Sequence, residues 1–464
     1  MVATPTLDKA VAAQLSSILG ARFTTAKAVR SHHAHGEGWD RPVLPGGVCF
    51  PETNEEVAAI VGACAQYRTP LVPFGAGSSL EGHVVPPESG VSVDMTGMNR
   101  ILEVSQEDLD CRVQAGVTRE QLDAHLQPQG VFFPVDPGAD ATLGGMTATG
   151  ASGTTTVRYG AMRENVLGLT VVLANGAIIQ TGGKARKSSA GYDLTRLLIG
   201  SEGTLGIITE VQLRLCGIPE TISAAVCQFD RIGDAVDTVI EAIQIGVDLA
   251  RSELVDELMM KGFALHSGLD EYAHQPTLFL EFHGTPGSVD EQVRLVAEIC
   301  QHHGGSEVRH ASRTEDRSRL WKVRHDAYYA GIALAPGKRS MITDACVPLS
   351  RLTECIEATQ ADIAEHALLA PIVGHIGDGN FHCQVMCDPD DESDVAAAES
   401  FVTRLAQRAI DMGGTCTGEH GVGSGKIDLL EREHGAGIEV MRAIKQALDP
   451  LNLMNPGKVL RAAP

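Results

Sequence analysis

Two glycine-rich segments within about eighty residues of each other constrain this chain more than any other feature. The first is PFGAGSSLEGH, from Pro73 to His83, where Gly75, Gly77 and Gly82 admit positive φ and Ser78 and Ser79 add hydroxyl donors. Successive backbone N–H groups in such a turn form a nest for an anion. The second is DPGADATLGGMTATGASG, from Asp136 to Gly153, with five glycines and the small hydroxyl residues Thr142, Thr147, Thr149 and Ser152. Side chains this small let backbone approach a flat or phosphate-bearing ligand. Either segment alone is as readily a tight surface loop; together they point to a cofactor. Neither is a G-x-G-x-x-G that opens a helix after a strand, so a Rossmann unit, and with it a nicotinamide enzyme, is disfavoured.

At 464 residues the chain is too long for one ordinary core, and two packed domains are expected. Hydrophobic content of 43%, charged content of 21% and a mean hydropathy of zero describe a globular protein. No apolar run is long enough for a transmembrane helix, and the N-terminus reads as a short helix and not as a signal, so the expected compartment is the cytoplasm. A peripheral membrane contact and a homodimer stay open. The formal charge of −22 disfavours nucleic acid and anionic surfaces, so an anionic substrate must meet locally placed cations. Eleven scattered cysteines without a C-x-x-C fit reduced thiols; Cys383 and Cys387 are read as packing residues.

Along the chain, Val57, Ile60, Val61 and Cys64 mark one face of a helix from about Thr53 to Arg68, with Thr53 and Glu56 as a capping box. The strands PLVPF (Pro70 to Phe74) and VSVDM (Val91 to Met95) flank the first glycine-rich segment. Asn175-Gly176 between β-branched runs predicts a hairpin, and Leu205 to Leu215 closes a mixed sheet. After about Pro219, strands such as TLFLEF alternate with amphipathic helices such as VDEQVRLVAEIC, which predicts a second, α+β domain of split βαβ type. From about Gly425 the chain is helical and ends on a turn at Asn455, Pro456 and Gly457.

The segment HIGDGNFH, His375 to His382, has ligand geometry. If Asp378-Gly379 is a two-residue turn, Gly377 pairs with Asn380, Ile376 with Phe381 and His375 with His382, which brings the two imidazoles to one face at about 4.5–5.5 Å between Cβ atoms. A third ligand is then expected from a carboxylate elsewhere. Glu419 in TGEHGVGSGK suits this, because glycines on both sides of Glu419-His420 let the backbone bend close to a ligand. A phosphate-loop reading of that stretch fails at His420 and Ile427.

Taken in series, PFGAGSSLEGH, DPGADATLGGMTATGASGTTTVRYGAMRENVLGL and GYDLTRLLIGSEGTLGIITEVQLRL resemble the FAD domain of the vanillyl-alcohol oxidase (PCMH-type) flavoproteins. HIGDGNFH, GEHG and the segment from Trp321 to Ser350 are similar to their D-2-hydroxy acid dehydrogenase branch, most of all to D-lactate dehydrogenases that pass electrons to cytochrome c. The resemblance implies an α+β fold: an N-terminal helical segment (1–40), a PCMH-type FAD-binding domain of two α+β subdomains (41–219), a ferredoxin-like substrate or cap domain carrying the metal site (220–424), and a C-terminal helical segment returning to the FAD domain (425–464). It implies that Pro73, Gly75, Ala76, Gly77, Ser78, Ser79 and Gly82 bind the pyrophosphate. Pro137, Gly138, Thr142, Gly144, Gly145, Thr149, Ser152, Gly153, Glu202, Gly206, Ile208 and Asn455 would line the rest of FAD. His83 does not match the histidine that links flavin covalently in some relatives, so FAD is expected to be non-covalent. His375, His382 and Glu419 would hold one divalent ion, zinc or manganese.

The chemistry implied is oxidation of a small D-2-hydroxy acid, D-lactate to pyruvate in the first instance, with hydride passed to the flavin and electrons on to cytochrome c, a quinone or another electron-transfer protein. The ion activates the substrate hydroxyl, and His420 is the general base, since histidine titrates near working pH. Arg324 and Arg339 are the candidates for the substrate carboxylate. Tyr328, four residues after Arg324 on a helix, would share its face, and Asn380 reaches the substrate from the hairpin tip. D-2-hydroxyglutarate or glycolate oxidation shares these motifs. A non-catalytic flavin-binding subunit would not need the H-x6-H and G-E-H-G motifs, and a metal-dependent hydrolase gives no purpose to the glycine-rich segments.

Overall fold

The computed structural model describes residues 7–311 and 313–461. They form two compact units, one built from the chain up to Ser152, Gly160–Ile218 and the chain from Glu419 on, the other from Gly153–Tyr159 and Pro219–Gly418.

In the first unit, Thr53 caps the helix Asn54–Gln66 by accepting from the Glu56 N–H, and Val57, Ile60, Val61 and Cys64 are buried on its inner face. The expected reciprocal arm of a capping box is absent here. The Glu56 carboxylate accepts from the Glu52 N–H and pairs with Arg22, a charge-assisted partner stronger than the cap N–H. The helix leads into the strand Leu71–Phe74, which runs parallel to Val91–Asp94, itself parallel to Gly47–Cys49, with Phe23–Thr24 antiparallel at the edge. Leu453 and Asn455 hydrogen-bond to both backbone groups of Leu71, so the turn at Asn455–Gly457 ties the C-terminal segment to this sheet.

The second sheet of this unit has five strands in the order Ile101–Ser105, Asp110–Gln114, Ile207–Arg214, Val166–Val172 and Ile178–Gly182. All its pairings are antiparallel, which corrects the mixed sheet expected around Leu205–Leu215. Tight hairpins at both edges impose that direction. At one of them Gly176, at φ +80°, donates to the Leu173 carbonyl and closes the turn at Asn175-Gly176.

In the second unit the strands Arg309–Ala311, Thr221–Gln228, Thr277–Gly284 and Leu249–Val255 lie side by side in the spatial order fourth, first, third, second, all antiparallel, with helices Ile232–Gln244 and Pro286–His302 as crossovers. This is the split βαβ arrangement. The sheet continues through Ile372–His375, Asn380–Cys387 and Arg339–Ile342, and Ala345–Cys346 also pairs with Asn380–Cys387, making eight strands. A core around Met259, Met260, Phe263 and Phe279 packs under it, with the two phenylalanine rings edge to face at 6.3 Å. Among the described residues no helix is long and apolar enough to cross a membrane.

Phe263→Ala removes a fully buried ring from that core. It is expected to cost about 3–5 kcal/mol, measured as a lowered urea midpoint of the second unit's unfolding.

Candidate active site

The two glycine-rich segments meet in the first unit. A Cβ on Gly75 would strike Thr142 Oγ1, so only glycine allows the first segment to lie against the second. Thr142 caps the short helix Leu143–Thr149 by accepting from the Gly145 N–H at 3.3 Å. Behind it, a Cβ on Gly144 would sit 2.5 Å from Ala115 Cβ. Gly77 and Gly82 both adopt φ +75°. Ser79 Oγ is buried and, among the described residues, has no hydrogen-bond partner, as a hydroxyl placed for a ligand would be. Pro73 closes the preceding strand, Ala76 is exposed and Ser78 is partly so; Pro137 is half-buried and Gly138 faces open space.

Other residues assigned to the flavin serve the protein itself. The Thr149 hydroxyl donates to its own helix at Gly145, and Ile208 is buried in the sheet opposite Val171. Gly206 packs so closely on that strand that a Cβ would lie 2.7 Å from Val171 Cγ1. Gly153, whose N–H donates to Thr156 Oγ1, belongs to the second unit. Ser152 Oγ donates to Glu419 Oε2 at 2.6 Å, so it positions a residue assigned to the metal. Glu202, at φ +54°, turns its buried carboxylate to the N–H groups of Val422 and Gly423 at 2.6 and 2.8 Å and to His83 Nε2 at 3.2 Å. Asn455 donates to the carbonyls of His83 and Glu202. Glu202 therefore holds the GEHGVG turn in shape. Gly421 is required there, since a Cβ would lie 2.6 Å from His83 Nε2. In that turn His420 Nε2 lies 3.7 Å from Glu419 Oε1.

In the second unit the histidine hairpin differs from the two-residue turn. Residues Ile376–Asp378 make a 3₁₀ turn closed by Gly379 at φ +79°, so His375 pairs with Asn380 and His382 with Val373. The loop is longer because the Gly379 N–H is taken by the Ile376 carbonyl and its carbonyl by the Val347 N–H. The histidines are thus diagonal and not directly opposed, yet their rings stand edge to face with centroids 5.6 Å apart.

Each ring is oriented through Nδ1. His375 Nδ1 lies 2.7 Å from Glu253 Oε1, its cross-strand partner, and His382 Nδ1 donates to the Thr343 carbonyl at 2.8 Å. Each ring is thus held through its second nitrogen by a carboxylate or a backbone carbonyl, as the rings of metal-binding histidines commonly are. The opposite oxygen of Glu253 pairs with Arg324, so one fully buried carboxylate holds both a histidine and an arginine. Arg324 Nε is buried and has no hydrogen-bond partner among the described residues. Sequence reasoning missed Glu253. Its signal was a carboxylate inside the strand LARSELV, where burial demands a charged partner.

Asn380 donates to Asp344 Oδ1 at 2.9 Å and to the Ala345 carbonyl, while its own Oδ1 is buried without a partner among the described residues. Asp344 also accepts from Thr417 Oγ1 at 2.8 Å. Gly418 lies so close to Asn380 Nδ2 that a Cβ would collide with it, and one peptide bond further is Glu419. Two expected pocket residues are not brought here. Asp326 ends the helix Thr314–His325 and a new helix, Ala327–Leu334, begins, so Tyr328 does not share Arg324's face and is 46% exposed. Arg339 is exposed and pairs with Cys387, five residues past His382, roughly 17 Å along the strand.

A family model described as an FAD binding domain matches residues 45–182, and one described as the C-terminal domain of FAD linked oxidases matches 218–459. The chain belongs to the FAD-linked oxidases. It is therefore an FAD-dependent oxidoreductase, and the glycine cradle of the first unit lies within the matched FAD domain. A Danio rerio protein named probable D-lactate dehydrogenase, mitochondrial, is 51% identical over 441 residues, 94% of this chain and 88% of that one. The mitochondrial D-lactate dehydrogenase [cytochrome] of Arabidopsis thaliana is 43% identical over 98% of this chain and 80% of its own. The glycolate oxidase subunit GlcD of Bacillus subtilis is 34% identical over 98% and 97%. Among solved structures, p-cresol methylhydroxylase with substrate bound superposes with a TM-score of 0.78 at 17% identity, covering 97% of this chain and 96% of that one. That likeness establishes the PCMH-type fold of this family member. The mitochondrial names of its relatives lend no support to a cytoplasmic location.

Two stability measurements test the buried carboxylates. Glu253→Gln leaves Arg324 buried without a counter-charge and is expected to cost about 3–5 kcal/mol in urea unfolding. At His83, burial disfavours the charge but the Glu202 carboxylate outweighs it and raises the pKa above the ordinary 6.5. For Glu202, burial is likewise outweighed, here by His83 and two backbone N–H groups, and its pKa falls below 4.5. The histidine's contribution is complete below pH 6.5 and is lost as pH rises through its raised value; the carboxylate's is complete above pH 4.5 and is lost as pH falls through its lowered value. The stability gap between wild type and His83→Gln should therefore be widest between these two values and narrow toward alkaline pH.

Proposed function

We propose that this chain oxidises a small D-2-hydroxy acid, D-lactate first among them, and passes the electrons to cytochrome c or a comparable carrier. The observation that carries this reading is the histidine pair, with ring centroids 5.6 Å apart and each ring oriented through Nδ1, by Glu253 and by the Thr343 carbonyl. His375, His382 and Glu419 are the residues to hold a divalent ion such as zinc or manganese, which would supply Lewis acidity toward the substrate hydroxyl. Glu419 is oriented by the Ser152 hydroxyl. The glycine cradle would hold FAD, which when bound would accept the hydride from the substrate carbon, and the binding would be non-covalent, since His83 is engaged by Glu202.

Arg324 receives the substrate carboxylate through its buried Nε, while Glu253 keeps the guanidinium in place. Asn380 touches the substrate from the hairpin tip and helps aim the Cα–H bond, and the hydroxyl proton is left to His420. His420 takes the hydroxyl proton on its ring. Arg339 and Tyr328 take no part in this reading, given their positions. D-lactate is favoured by the names of the relatives at 51% and 43% identity and the cytochrome acceptor by the latter's name, and glycolate is the second reading, favoured by the Bacillus subtilis relative.

Anaerobic flavin bleaching against a panel of D- and L-2-hydroxy acids tests substrate and handedness together; fastest reduction by an L-acid would refute the proposal. His420→Ala should retain FAD absorbance while kcat with D-lactate falls on the order of 10²–10⁴-fold. Chelation, or His382→Ala, should abolish rapid flavin reduction, with restoration by added zinc or manganese in the chelated wild type only. Full activity in metal-free protein would sink the metal assignment.

A further inference from the structure

We propose that Glu241, His302 and His303 form a second divalent-metal site, set in the helical layer of the second unit and separate from the histidine hairpin. Their ligand atoms all lie within 4.8 Å of one another. Glu241 is near the end of the helix Ile232–Gln244, His302 is the last residue of Pro286–His302, and His303 caps that helix. Consecutive side chains inside a helix diverge by about 100°. Here the chain is already leaving the helix, with His303 at φ −88° and ψ 16° and Gly304 at φ +76°, and the two imidazoles stand edge to face with centroids 5.1 Å apart. The two histidines thus approach each other where helical spacing would part them.

His303 Nε2 lies 2.7 Å from Glu241 Oε2. Bond lengths of about 2.0–2.2 Å put the ligand atoms of a tetrahedral zinc roughly 3.3 Å apart, so this pair is already within range. His302 is exposed, and a rotation of its side chain closes the remaining gap without moving backbone. Water completes the coordination. Two imidazoles and one carboxylate select a borderline ion such as zinc, copper, nickel or cobalt over magnesium or calcium. The two helices bridged are the crossovers of the split βαβ unit and pack on each other, so the ion would act as a staple across them and stabilise the folded state by its binding energy. The competing account is a plain Glu241–His303 ion pair at a helix C-terminus, which needs no ion.

The test uses the full-length, FAD-bound protein, stripped with chelator and dialysed against excess zinc, with ions per chain counted by plasma mass spectrometry. Wild type should bind one more zinc than His302→Asn or Glu241→Gln, and zinc should raise its Tm more than theirs, while flavin absorbance stays the same in all three. His382→Ala should keep this ion. Equal zinc counts and equal zinc-induced Tm shifts in wild type and both variants would overturn the proposal. Adding Glu241→Gln to His382→Ala should remove one further zinc, so the two metal assignments fail independently; equal counts in His382→Ala and the double variant would likewise overturn the proposal.

Discussion

The second unit depends on a carboxylate that has no access to water. Glu253 lies within the sheet, and its two oxygens are divided between His375 on the neighbouring strand and Arg324 on a helix. An unpaired charge in that position would be prohibitively costly, so the strand, the hairpin and the helix must arrive together or not at all. The same contact sets the tautomer of His375 and restrains a guanidinium while leaving its Nε available. One buried charge thus joins the folding of the sheet to the placement of a histidine and an arginine.

The first unit uses the same device for a different purpose. Glu202 accepts two successive backbone N–H groups from the GEHGVG turn and faces His83, and Asn455 pins the carbonyls of both residues. A turn so rich in glycine would otherwise sample many conformations. The buried carboxylate selects one and so fixes the backbone that carries Glu419 and His420. Rigid support from interior residues is how a glycine-rich turn is held to one backbone geometry.

The fold was largely legible in the sequence where local periodicity and turn chemistry decide it. The helix Asn54–Gln66, the strands on either side of the first glycine segment, the Asn175-Gly176 hairpin and the split βαβ rhythm after Pro219 all follow from patterns of apolar and turn residues. What misled was partnership. Glu56 was matched to its own helix cap, yet Arg22, thirty-four residues away, competes better for it. Tyr328 was placed by helical spacing that the break at Asp326 interrupts. The spacing of the histidine hairpin permits the tightest turn available, but the chain takes a 3₁₀ turn because Val347 supplies a partner for Gly379.

The glycine segments and the H-x6-H and G-E-H-G motifs, taken in series, were enough to place the chain among the FAD-linked oxidases by resemblance, because close backbone approach requires small residues at particular spacings. The sequence could not determine which charged residues support those motifs. Glu253, Glu202 and Asp344 are ordinary carboxylates in one dimension, and their importance arises only from burial and from partners far away along the chain. Electrostatic pairing in the interior acts through space and carries no sequence period, so only the tertiary structure decided it.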